Sequence, residues 1–252
     1  MKTSSRKGPA ASQQPIGEAD ANMVDRTWKP LYRVGGAVGL SVIVFSLIQF
    51  IAFIASPPPS TVIGYFTLFH KNALLGLLDL NLLSIVNYAL LIPLVLALYA
   101  ALKRVSQSFM IIATSLALVG IAIYLASNTA FEMLSLSSQY EAASTDAQRS
   151  LILAAGQAML ASYQGTAFDV SYALLSVASL IISVVMLRST VFGKGTAWVG
   201  MVTNALSLLA VGFFVPAIDA FLVLIAGVGS LIWFILVAHR LFMLSSALPH
   251  VE

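Results

Sequence analysis

Residues 109–131 read FMIIATSLALVGIAIYLASNTAF, an uncharged run that stops at Glu132. At 1.5 Å per residue a helix of this length reaches about 34 Å, enough to cross the roughly 30 Å hydrocarbon core of a bilayer. The composition of the whole chain agrees with that reading. Of 252 residues, 59% are hydrophobic and 9% charged, and the mean hydropathy is +0.94. A soluble domain carries about 25% charged residues. The shortage decides the class: an integral membrane protein with no room for a sizeable soluble domain.

Outward from this run the same pattern recurs. The expected fold is all-α, a polytopic bundle of six transmembrane helices over about 34–55, 77–101, 109–131, 166–187, 196–216 and 220–239. Residues 31–243 form that domain, between a disordered polar tail at 1–30 and a short tail at 244–252. Trp28, Tyr32 and Arg33 suit an interfacial anchor. Gly35 and Gly39 form a small-xxx-small pair that lets another helix approach. Pro57-Pro58-Pro59 ends the first span, and Pro93 kinks the second. Two short amphipathic helices are expected on the extracytoplasmic side. One places Val62, Phe66 and Phe69 on a common face. The other starts at Thr145-Asp146 and lines up Ile152, Ala155, Met159 and Tyr163.

Charge sets the orientation. With an even number of spans both termini share a side, and Lys2, Arg6, Lys7, Arg26, Lys29, Arg33, Lys103, Arg104, Arg188, Lys194 and Arg240 fall there. Only Lys71 and Arg149 lie opposite. Basic residues stay on the cytoplasmic side, so both termini are expected in the cytoplasm and the protein in the inner membrane. The net charge of +3 and pI near 9.2 are then topogenic, and nucleic acid is excluded as a partner. Membrane lipids are the expected partners, with other membrane subunits as further candidates.

The chemistry available is narrow. There is no cysteine, which excludes disulfides, cysteine-ligated zinc and iron–sulfur clusters. His70, His239 and His250 are far apart, so no histidine-rich metal site can be drawn. No phosphate-binding glycine loop, zinc-protease motif or nucleophile elbow is present. No cofactor is expected. Polar residues instead gather toward the outer side: Asp79, Asn81, Asn87, Asn128, Glu132, Asp169, Tyr172 and Asp219 are the candidate ligand-binding residues. Asp79, Asp169 and Asp219 sit near the outer starts of even-numbered spans, where an acid is favoured at a helix N-terminus without any further role. Asp79 is the deepest of them. Asn81 and Asn87 follow it, either bordering a cavity or tying helices together. Glu132 falls at the C-terminal end of its span, against the helix dipole. It reads equally as a proton carrier or cation ligand and as a solvated residue beyond the membrane.

Several pieces resemble one family: Asn87–Leu102 (NYALLIPLVLALYAAL), Gly165–Val170, Val185–Arg188 (VMLR), Gly193–Val199 (GKGTAWV) and Ile232–Leu241 (IWFILVAHRL). Over about Asp79–Met243 the chain resembles an uncharacterised bacterial multi-pass membrane family, domain of unknown function 4386. The resemblance implies a compact helical membrane domain, no established activity and no functional residues. Three functions stay open: binding or transport of a small solute, cation or amphiphile at an outer polar pocket; an accessory subunit of a membrane complex; and a lipid-modifying enzyme using carboxylates.

Overall fold

The computed structural model describes residues 26–163, 165–212 and 216–246, apart from the side chains of Arg26 and of 211–220. The tails expected at 1–25 and 247–252 lie outside the described residues. A 3-10 turn at Arg26–Trp28 leads into α1, Lys29–Ala55, which has proline in its first turn. Proline is tolerated there because its missing N–H has no partner inside the helix. The helix stops two residues before Pro57.

Two short helices follow, each started by a side chain. Thr61 Oγ1 accepts from the Gly64 N–H at 3.1 Å and opens α2, Val62–Lys71. Asn72 Oδ1 accepts from the Leu75 N–H at 3.0 Å and opens α3, Ala73–Asp79. Each cap satisfies one of the amides that a first turn leaves free. Next come α4, Leu82–Leu102, with Pro93 inside it, and α5, Gln107–Ser127. Beyond these lie α6, Ala130–Ala142, and α7, Asp146–Tyr163. The last three are α8, Thr166–Leu187; α9, Lys194–Gly212; and α10, Pro216–Ser246. The described residues contain no strand.

Six of these helices close a ring. α1 packs on α4, α4 on α5, α5 on α8, α8 on α9, α9 on α10, and α10 back on α1. The other four, α2, α3, α6 and α7, pack on one another as a cap over one end. Five stretches are long and apolar enough to cross a membrane: Lys29–Ala55, Leu82–Leu102, Gln107–Ala142, Asp146–Leu187 and Phe221–Ser246. Large apolar side chains such as Leu47, Ile51, Ile112, Val202, Leu209 and Val228 stand exposed on the ring's outer flank. Outward-facing apolar residues on a closed helical ring identify a membrane protein, whose solvent there is lipid.

Two apolar cores hold this together. One fills the end of the ring away from the cap, around Tyr32, Leu98, Leu102, Met110, Met186, Phe192, Val237 and Leu241. The other fills the cap, around Tyr65, Phe66, Phe69, Leu80, Met133 and Tyr163. At the uncapped end Lys103 Nζ lies 4.5 Å from the centre of the Trp28 ring, and the Arg240 Nε–H donates to the Val191 carbonyl. In the cap His70 of α2 pairs with Glu141 of α6.

Several expected boundaries move. α1 starts at Lys29 rather than Val34, and the last helix runs Pro216–Ser246 where about 220–239 was expected. Two more shift at asparagines. The second span starts at Leu82 rather than Leu77, because Asn81 takes a left-handed backbone (φ 61°) that breaks the helix after Asp79. The third ends at Ser127 rather than Phe131. There Asn128 Oδ1 accepts from the Ala130 N–H at 3.0 Å and starts a new helix. Helices form at both places where the sequence suggests short ones, as α2 and the 18-residue α7. The helices α3 and α6 were not expected.

The small-xxx-small pair of α1 faces two neighbours. A Cβ placed on Gly35 would lie 2.5 Å from the Ala97 Cβ of α4, and one on Gly39 would lie 3.0 Å from the Ala238 Cβ of α10. Gly35→Leu is expected to cost about 1–3 kcal/mol by overpacking, read as a lower unfolding temperature in detergent. Gly193→Ala, whose Cβ meets nothing within 4 Å, should leave that temperature where it is.

Candidate functional site

Inside the ring, between the two apolar cores, lies a cavity of about 240 Å³. All six ring helices line it: Ser46 of α1, Asn87 of α4, Ala117 of α5, Ser176 and Ser179 of α8, Asn204 of α9, and Trp233 of α10. Leu94, Leu98, Leu175 and Ile182 supply apolar wall. Among the described residues no Asp, Glu, Lys, Arg or His lines it. Hydroxyl, amide and indole groups on an apolar wall are the usual make-up of a small-ligand site.

Helix periodicity explains how these groups converge. Ser176 and Ser179 stand three apart on α8, so they share its inward face. Ser183, one turn further, donates to the Ser179 carbonyl at 2.7 Å. Asn204 Nδ2 donates to the Gly200 carbonyl at 2.7 Å, which pins the amide along its own helix. Gly200 is needed where it is: a Cβ there would meet the Ser183 hydroxyl and the Trp233 indole nitrogen. Asn87 Nδ2 donates to Ser46 Oγ at 3.2 Å and ties α4 to α1.

Two buried polar atoms of the wall have no hydrogen-bond partner, Asn87 Oδ1 and Trp233 Nε1. Asn87 is 8% exposed and Trp233 4%. A buried polar group left unpaired costs about 1–3 kcal/mol. Neither atom is satisfied within the protein, and the Trp233 nitrogen packs against Gly200. An aromatic row lies on the cap side, with the Tyr88 and Tyr124 rings stacked at 3.6 Å and the Phe168 and Tyr172 rings nearly parallel at 6.3 Å.

A second polar cluster sits in the cap. Asp79 is 2% exposed at the end of α3, and neither carboxylate oxygen has a hydrogen-bond partner. Burial pushes its pKa up to about 6. Burial also raises the Tyr65 hydroxyl to about 12, with the charge of Asp79 as the second cause. Asn81 Nδ2 donates to the Tyr163 hydroxyl. Gln49 Nε2 donates to the Leu78 carbonyl at 2.7 Å, and Asn128 Nδ2 to the Leu80 carbonyl at 3.2 Å.

The residues proposed from sequence therefore divide. Asn87 and Tyr172 line the cavity. Asp79, Asn81 and Asn128 belong to the cap cluster. Glu132 is exposed in the first turn of α6, and Asp169 lies in the first turn of α8. Glu132 thus occupies a favourable helix start instead of the unfavourable helix end expected for it. Asp219 lies within α10, and its side chain is outside the described residues. Ser46, Ser84, Asn204, Ser207, Ser230 and Trp233 also line the cavity and are not among the residues singled out from the sequence. Beside Asn87 and Tyr172, the three-residue spacing of Ser176 and Ser179 is a signal for this wall that the sequence carries.

The shift at Asp79 fixes a sign. Its folded pKa lies above the ordinary 3.8, so the folded chain binds the extra proton between about 4 and 6 and loses stability as pH rises through that window. In metal-free choline buffer the unfolding temperature is expected to fall from pH 4 to pH 6 and then level. Asp79→Asn should remove that decline; a decline of the same size in the variant would assign it to another group.

A family model described as a domain of unknown function (DUF4386) matches residues 34–237. Searches of curated proteins and of solved structures find no match.

Proposed function

The chain belongs to the DUF4386 family, and from that premise we propose that it is a six-span inner-membrane protein binding a small uncharged solute or amphiphile in the ring's cavity. The observation that carries this reading is the wall itself: polar groups from five of six helices converge with no acidic or basic side chain among the described lining residues. An ion would meet no compensating charge there, whereas a neutral guest with a hydroxyl or carbonyl suits a wall of serine and asparagine side chains. Apolar contacts from Leu94 and Leu175 suit its hydrocarbon part. An accessory subunit would need a packed interior and no such wall.

The span to add to those five stretches is α9, the fifth in chain order. It has 19 residues and packs between α8 and α10 within the ring, which gives it the same surroundings as its neighbours. Lys103, Arg104, Arg188 and Lys194 flank the uncapped end of the ring, which supports a cytoplasmic position for that end. The absence of native cysteine makes this directly measurable. Both Ser144 in the cap and Thr190 in the turn after α8 are exposed. Ser144→Cys should react in whole cells with a membrane-impermeant maleimide, while Thr190→Cys should react only after lysis. The reverse pattern would invert the topology.

For the cavity, native mass spectrometry of protein extracted with its own lipids should find an uncharged adduct at about one per chain. Asn87→Leu fills the wall and removes its acceptor, so occupancy should drop about tenfold or more while the variant stays folded. A wild-type chain without an adduct, or equal occupancy in the variant, would refute cavity binding.

A further inference from the structure

The cap holds a different kind of site. Asp79 carries a negative charge into a place that is 2% exposed, and both its oxygens lack donors. Gln49 is 6% exposed and anchored through Nε2 to the carbonyl of Leu78, the residue before Asp79; its Oε1 also has no donor. Three buried oxygens without a donor therefore belong to two side chains tied to one helix end. That end is the C-terminus of α3, where the Gly76 and Leu78 carbonyls accept from the Leu80 and Asn81 N–H groups.

The groups around this spot do not balance it. Tyr65 of α2 feels the Asp79 charge, and the Tyr163 hydroxyl of α7 accepts from Asn81. Among the described residues no lysine, arginine or histidine forms a salt bridge with Asp79; His70 is taken by Glu141. A buried carboxylate left with neither donor nor counter-charge is strongly disfavoured. Burial raises its pKa to about 6, so a proton and a cation compete to neutralise it.

We propose that Asp79, with Gln49 Oε1 and neighbouring oxygens of the cap, binds one monovalent alkali cation of the sodium class. Hard cations take oxygen ligands, and the Asp79 carboxylate and Gln49 Oε1 are buried oxygens with no competing donor. Charge selects the valence: one carboxylate neutralises one positive charge in a low-dielectric setting. Among the described residues no three His, Cys, Asp or Glu side chains stand together, so the other ligands would be amide, hydroxyl or backbone oxygens. The site is separate from the uncharged cavity of the ring, so either reading stands or falls without the other.

The test uses the full chain in detergent at pH 8, with choline chloride replaced stepwise by sodium chloride at constant ionic strength. The unfolding temperature is expected to rise and saturate, because a ligand bound only by the folded state stabilises it by mass action. Apparent sodium affinity should weaken about tenfold between pH 8 and pH 5, as protons compete for a carboxylate titrating near 6. Asp79→Asn should abolish the sodium effect, and Gln49→Ala should weaken it. If Asp79→Asn does not fold, calorimetric titration of the wild type with sodium chloride in choline buffer decides: a saturable heat supports the site and its absence refutes it. A pH effect with no sodium effect would make Asp79 a proton site and overturn the proposal. Stabilisation by calcium but not by sodium would overturn the monovalent assignment.

Discussion

The seating of α1 between α4 and α10 is the contact on which the ring depends. Lipid gives helices little reason to associate through hydrophobicity, since its tails are as apolar as leucine. Close packing must supply the attraction, and that requires small residues where backbones approach. Gly35 against Ala97 and Gly39 against Ala238 meet that need on neighbouring turns of one helix. If α1 stood off by the width of a side chain, the ring would open between α4 and α10. The cavity would then lose the wall that Ser46 supplies.

Closure also explains why polar groups can survive inside. The apolar core around Leu98, Met186 and Leu241 seals the uncapped end of the ring. The core around Tyr65, Phe66, Phe69 and Met133 organises the cap. Between them a serine can be satisfied along its own helix, as Ser183 is by the Ser179 carbonyl. A serine hydroxyl that bonds to the preceding turn lies in a membrane helix at modest cost. The unpaired atoms of the cavity wall and of the Asp79 cluster mark the two places where something else is expected to complete the hydrogen bonding.

The cap makes its polarity differently. Asn72, Asn81 and Asn128 each stand at a helix start, two of them accepting from the new helix's amides. Asn81 holds a left-handed backbone, which asparagine tolerates better than most residues. These breaks interrupt two long apolar runs, and α3 and α6 pack with α2 and α7 in the cap. Asp79 is buried as a consequence, because the break places it within the cap rather than in the first turn of a span.

Sequence by itself determined the class, the family and most of the element plan. A run such as 109–131 admits only a membrane-length helix, and the prolines, glycines and charge pattern punctuate the rest, because those effects are local along the chain. Local signals could not show that Asn128 would cap Ala130, since an asparagine inside an apolar run equally suits a continuing helix. That choice moved Glu132 from a helix end to a helix start and left it exposed. Only the tertiary structure decided which polar side chains meet. Ser46, Asn87, Asn204 and Trp233 are distant in the chain and share a wall because six helices close in one order, and ring order depends on packing between faces that no single helix reveals.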